Sequence, residues 1–114
     1  MTEKRALNVL WTNGDPVTAE KMVFMYTINA MKHGWWDDVT LIIWGAPAKL
    51  VGEREDMQEN VRQALAAGVH VTACKACADQ LGVTDTLKEL GVEVKYWGVP
   101  LTEILTAGEK LLTI

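Results

Sequence analysis

The sequence predicts an α/β protein, a three-layer α/β/α sandwich around an open parallel sheet of about five strands. Two observations carry that expectation. Short apolar segments alternate with helix-length segments along the whole chain, with Gly, Pro and Asp at the junctions. One of the apolar segments, Val39-Thr40-Leu41-Ile42-Ile43-Trp44, is a nearly continuous run, the mark of a strand covered on both faces. With 114 residues, 49% of them hydrophobic, the chain can fill one core without disulfide or metal staples, so a single domain over residues 1–114 is expected.

The elements follow in order. Residues 6–11 (Ala-Leu-Asn-Val-Leu-Trp) read as the first strand, closed by the turn Thr12-Asn13-Gly14-Asp15-Pro16, in which Asp15 is a natural N-cap and Pro16 a natural first helical residue. A helix is expected over residues 17–33, ending before Gly34; its apolar residues wrap most of its circumference, so it needs burial on more than one side. After the second strand, residues 39–44, Gly45-Ala46-Pro47-Ala48-Lys49 reads as a turn. The next helix carries Met57, Val61, Ala64 and Leu65 at i, i+4, i+7 and i+8, with a charged opposite face. Residues 69–74 read as the third strand, passing directly into a helical segment with Lys75, Ala76, Cys77, Ala78 and Leu81. Helices over residues 84–90 and 101–107 and strands over residues 92–97 and 110–114 complete the alternation.

Composition excludes several function classes. A formal charge of −4 and a pI near 5.1 leave no basic surplus for phosphates, so neither a nucleic acid nor an anionic membrane surface is an expected partner. The opening Met1-Thr2-Glu3-Lys4-Arg5 runs straight into a strand without a secretory apolar stretch, and no run is long enough to span a membrane, so a cytoplasmic location is expected. Gly14 and Gly45 are too sparse for a phosphate-cradling glycine loop, and no cofactor is expected.

In an open parallel sheet, ligands bind outside the carboxyl ends of the strands, which selects three turns: residues 12–15, 45–49 and 74–77. The two cysteines, Cys74 and Cys77, form a CxxC pair in the last of them. Cys74 stands where strand becomes helix, so unpaired helical N–H groups and the neighbouring Lys75 favour its thiolate, the form that attacks sulfane sulfur or a disulfide. Cys77, three residues on, lies on the same helical face and can resolve Cys74 into a disulfide, although small residues there also serve close packing. Asn13, Asp15 and Lys49 face the same sheet edge and are candidate pocket residues, against the blander readings of a turn, a cap and a solvated charge. Trp11 and Trp44 end adjacent strands and are expected to wall the thiol. Trp35, Trp36 and Trp97 are assigned to packing or a subunit contact, and together with the apolar first helix they argue for a homo-oligomer. His70 starts the strand that Cys74 ends, about 13 Å away at strand rise, so no metal site is expected to join them.

The motifs Ala73-Cys74-Lys75-Ala76-Cys77-Ala78, Gly82-Val83, Gly91-Val92-Glu93-Val94-Lys95-Tyr96 and Pro100-Leu101-Thr102, in this order, resemble the small DsrE-like proteins. The likeness extends to Gly45-Ala46-Pro47-Ala48-Lys49-Leu50 and to the C-terminal stretch 108–113. It implies a sandwich assembled as trimers or hexamers, related to sulfur-relay subunits such as TusD and DsrE, whose active cysteine carries persulfide sulfur. That cysteine stands eight residues before a Gly-Val pair, the place Cys74 holds relative to Gly82-Val83. Cys77 has no counterpart there, and Gln80-Leu81 replace the Arg-Arg expected before Gly-Val in relay subunits.

Three functions are therefore weighed. The first is a sulfur carrier, a sulfurtransferase in the broad sense, that takes sulfane sulfur onto Cys74 from a donor protein and relays it to an acceptor. The second is a dithiol redox protein using both cysteines. The third is a non-enzymatic oligomeric module binding a small ligand in the same pocket.

Overall fold

The alternating apolar segments form five parallel strands: β1 (Ala6–Trp11), β2 (Asp38–Ile43), β3 (His70–Cys74), β4 (Glu93–Lys95) and β5 (Leu111–Thr113), in the spatial order β4-β3-β2-β1-β5. This is a computed structural model, and it describes residues 4–114. Met1, Thr2 and Glu3, the start of the segment read as lacking a secretory stretch, lie outside the described residues. Among the described residues, no helix is long and apolar enough to cross a membrane.

The strand order explains how the layers are filled. Steps from β1 to β4 all move the same way across the sheet, so right-handed crossovers put their helices on one face; the return from β4 to β5 puts its helix on the other. The first face is covered by the helical segments up to residue 89. Val9, Trp11, Val39, Leu41, Ile43, Val71 and Ala73 meet Ala19, Val23, Phe24, Val51, Met57, Val61, Ala78 and Leu87 there in one buried cluster. The second face is thinner: Ile42, Cys74, Trp97 and Ile104 form a small cluster, with helix Gly98–Thr106 as its main cover.

Four elements differ from the sequence expectation. Residues 45–49, read as a turn, belong to a helix, Ala46–Glu53: Gly45 takes φ +82° and turns the chain, and Pro47 sits in the first helical turn, where a missing N–H is harmless. The first helical rod is not uniform; Pro16–Thr18 leads into a π-helical segment, Ala19–Phe24, before the α-helix Met25–Lys32. Its burial falls on Ala19, Val23, Phe24, Thr27 and Ala30, while Val17, Met22 and Met25 remain exposed, so in the isolated chain this rod is covered on one side. Strands β4 and β5 are each three residues long, shorter than expected, as suits the two edges of an open sheet.

Candidate functional site

Side-chain parity decides which strand-end residues can meet. Register pairs Trp11 with Ile43 and Ile43 with Ala73, so these three share one face. Leu10, Ile42 and Thr72 share the other, and Cys74, two residues beyond Thr72, points the same way. Cys74 is thus on the thin face, 5% exposed, clustered with Ile42, Trp97 and Ile104 and flanked by Trp44, Cys77, Leu10 and Leu101.

Trp44 therefore stands in the apolar wall around Cys74, as expected, but Trp11 does not. Trp11 is fully buried on the opposite face, edge-on to Phe24 at a centroid distance of 5.3 Å, with its indole N–H donated to the Asn13 carbonyl at 2.8 Å.

Cys74 occupies the N-cap of helix Lys75–Leu81 with extended backbone (φ −69°, ψ 118°), yet its side chain makes no capping hydrogen bond. Its sulfur is engaged by the second cysteine instead. The Cys77 thiol is pushed up from its ordinary pKa, first by burial and then by its hydrogen bond to Cys74, with the Gly45 backbone amide pulling the other way. Both leading causes favour the neutral form of Cys77. The two cysteines are unbridged.

Beside them lies a polar tether within this apolar layer. Trp97, also 5% exposed, donates its indole N–H to Thr72 Oγ1 at 2.8 Å, and the fully buried Thr72 hydroxyl donates to the Glu93 carbonyl at 2.8 Å. Lys95 Nζ sits 4.8 Å from the centre of the Trp97 ring and 3.3 Å from Glu93 Oε1. The indole is pinned along its edge and capped by a cation. Thr72 carried a signal in the sequence, a hydroxyl in an otherwise apolar strand, but its partner depends on the pairing of β3 with β4, which separates the two residues by 25 positions.

The remaining candidates are dispersed. Asn13 Oδ1 accepts the Asp15 amide at 2.8 Å, and Asp15 Oδ2 accepts both the Thr18 amide at 2.8 Å and the Thr18 hydroxyl at 2.9 Å. These bonds hold the Asp15 carboxyl below its ordinary pKa, so Asn13 builds the turn and Asp15 caps the rod. Lys49 lines a shallow cleft with Gly14, Ala46, Leu50, Glu53 and Arg54. The Lys75 ammonium pairs with Asp79 and lies 5.6 Å from the centre of the Tyr96 ring; it borders a separate polar cleft with Asp79, Thr84 and Lys88 rather than serving a thiol. His70 Nε2 lies 3.6 Å from Glu93 Oε1. Among the described residues, no three His, Cys, Asp or Glu side chains converge as metal ligands.

No protein-family model and no curated protein matches the chain. Two solved structures do. The ychN protein of E. coli aligns over 98% of this chain and 100% of its own, with a TM-score of 0.73 and 19% identity, a likeness of fold. A conserved protein of unknown function from Bacteroides thetaiotaomicron, BT1422, aligns over 96% of this chain and 95% of its own, with a TM-score of 0.95 and 38% identity. At that identity over nearly the full length of both chains, this protein belongs to the same family as the Bacteroides protein.

Proposed function

We propose that the chain carries sulfane sulfur on Cys74. The observation that supports it best is the setting of that sulfur: at a strand end, at the N-cap of a helix, in an apolar cluster that also holds Cys77. The resemblance of the motif around Cys74 to DsrE-like relay cysteines supports it independently. In the loading step, Cys74 thiolate attacks the outer sulfur of a sulfane donor, the donor's S–S bond breaks, and sulfite or a shortened polysulfide leaves with the electron pair. In the unloading step, an acceptor thiolate takes the terminal sulfur and Cys74 leaves as thiolate. Neither step needs an external oxidant, and an apolar wall shields the persulfide from competing thiols.

A dithiol redox function is the second reading, favoured by the same Cys74–Cys77 contact. Intact-protein mass spectrometry after incubation with thiosulfate or polysulfide separates the two. A carrier gains sulfur in the wild type and Cys77→Ser but not in Cys74→Ser. A dithiol protein instead loses two hydrogens on oxidation, and only with both cysteines present. An unchanged mass throughout would remove both readings.

The carrier is further proposed to act as a homo-oligomer, in the trimeric or hexameric range implied by the resemblance. Met22, Met25 and Trp35 on one side and Val99 and Leu105 on another are exposed apolar side chains that support this. Light scattering that returned a monomer at micromolar concentration would refute it.

A further inference from the structure

We infer that Cys77 discharges sulfur from Cys74: it attacks the loaded persulfide, releases hydrogen sulfide and leaves a Cys74–Cys77 disulfide that an external dithiol reductant reopens. The inference rests on the carrier reading above and adds a second fate for the bound sulfur, decided within the chain.

Cys74 is the N-cap of helix Lys75–Leu81 and Cys77 the third residue of that helix, and both belong to the same apolar cluster. On a regular helix, residues three apart have Cβ atoms about 5–6 Å from each other, and a disulfide needs about 3.5–4.5 Å, so bridging asks for a shift of roughly 1–2 Å. The helix start tolerates such a shift. Cys74 has extended backbone and its side chain makes no capping hydrogen bond, so its sulfur gives up no cap when it turns towards Cys77. Both thiols are free, and contact with Cys74 is among the causes that raise the Cys77 pKa.

A persulfide offers two sulfurs, and the one attacked decides the product. An acceptor thiolate at the outer sulfur takes it and frees Cys74. Cys77 at the inner sulfur, which is Cys74 Sγ, forms the disulfide and expels the outer sulfur with the electron pair. Because its pKa is raised, Cys77 keeps its proton at neutral pH; passing that proton to the outer sulfur makes Cys77 a thiolate and the outer sulfur a better leaving group. The Gly45 backbone amide, which favours the Cys77 anion, supports that charge as it appears. Cys77 S–H and the Cys74 persulfide anion thus become the disulfide and HS−. The outer sulfur is reduced to sulfide and the two cysteine sulfurs are oxidised, so no external oxidant is needed. A dithiol then restores both thiols by exchange and is itself oxidised to its disulfide. An external acceptor has to reach a sulfur on a residue only 5% exposed, whereas Cys77 already shares its cluster, an intramolecular advantage. Sulfur that no acceptor claims therefore leaves as sulfide.

The test is made anaerobically on the full-length wild type, Cys77→Ser and Cys77→Ala. Each is loaded with thiosulfate, freed of donor by rapid desalting, and followed by intact mass and by the sulfide recovered in the ultrafiltrate. The wild type should pass from one added sulfur to the loss of two hydrogens, with one sulfide for each disulfide formed. Dithiothreitol should reopen that disulfide and permit a second round of loading. Both variants should keep the added sulfur at least about tenfold longer and release no sulfide until dithiothreitol is added. Agreement between a polar and an apolar replacement separates loss of the thiol from a change in packing, and thermal unfolding confirms that each variant is folded. A wild-type persulfide as long-lived as that of the variants, or a disulfide formed without matching sulfide, would overturn the inference while leaving the carrier reading in place. No sulfur on Cys74 in either folded variant would instead remove the carrier reading, and the discharge with it.

Discussion

Replacing Gly52 with alanine probes the packing that positions Cys77. Gly52 lies in helix Ala46–Glu53, and a Cβ there would come within 2.6 Å of Val83 Cβ and closer still to Val83 Cγ1. Carbon atoms rest near 3.5–4.0 Å, so roughly 1 Å of separation is required. Val83 cannot give way by changing rotamer, because its Cβ is bonded to its own backbone and the residue is buried. Overpacking of this kind costs about 3 kcal/mol at the upper end, and alanine's helix preference over glycine returns about 1 kcal/mol, leaving a net loss of about 2 kcal/mol. For a domain of this size that lowers the thermal midpoint by about 8 °C. Gly45, whose amide lowers the Cys77 pKa, is the N-cap of the same helix, so displacing the helix removes that donor and Cys77 should alkylate more slowly in Gly52→Ala. Calorimetry and a timed iodoacetamide reaction check the two effects. A midpoint equal to or above the wild type would show that this helix does not sit against Val83 as described, and the link between its position and Cys77 would fail with it.

Three further outcomes follow from the site. Because the Cys77 pKa is raised in the folded chain, the unfolded chain releases that proton first; this contribution to stability is complete below the ordinary thiol value and is lost as pH rises from there through the raised value of the folded chain. Cys77 alkylation in the native protein should accordingly lag the denatured chain toward higher pH, and the lag should shrink but persist in Cys74→Ser, since burial is the first cause; coincident profiles would refute this. Asp15→Ala should lower the thermal midpoint while Asp15→Asn largely preserves it, because either carboxylate or amide oxygen can cap the rod, and sulfur loading should be unchanged in both. Lys75→Met should also leave loading unchanged, since the ammonium is committed to Asp79; a marked fall would return Lys75 to the thiol.

The fold was legible because its signals are local. Apolar runs, Asp15 before Pro16 and glycines past helix ends each act within a few residues, and the predicted strands correspond to β1–β5. The helix at Ala46–Glu53 was missed because Gly45-Ala46-Pro47 resembles a turn, although proline early in a helix is also a start signal. The π-helical segment left no trace in a stretch that is apolar nearly all round. At the site, adjacency of Cys74 and Cys77 followed from spacing, whereas the side of the sheet taken by Trp11 followed from register, a long-range property. A shift of one residue moves a side chain through the sheet, and Trp11 aligns with Ala73 rather than with Cys74. Trp97 and Thr72 were hidden for the same reason.

The handedness of the crossovers connects the fold to the chemistry. Because β1 to β4 advance in one direction, nearly all helical cover accumulates on one face, and only the return to β5 lays a helix across the other. A reactive thiol on the thick face would be sealed beneath several packed helices and would open only with much of the core. On the thin face, Cys74 belongs to a small cluster with Ile42, Trp97 and Ile104, with Trp44, Cys77, Leu10 and Leu101 packed against it and helix Gly98–Thr106 as its main cover. The parity that removes Trp11 from the site is the same parity that places Cys74 on the thinner face. One residue of register in β3 thus decides whether residue 74 lies under several packed helices or under the thinner layer.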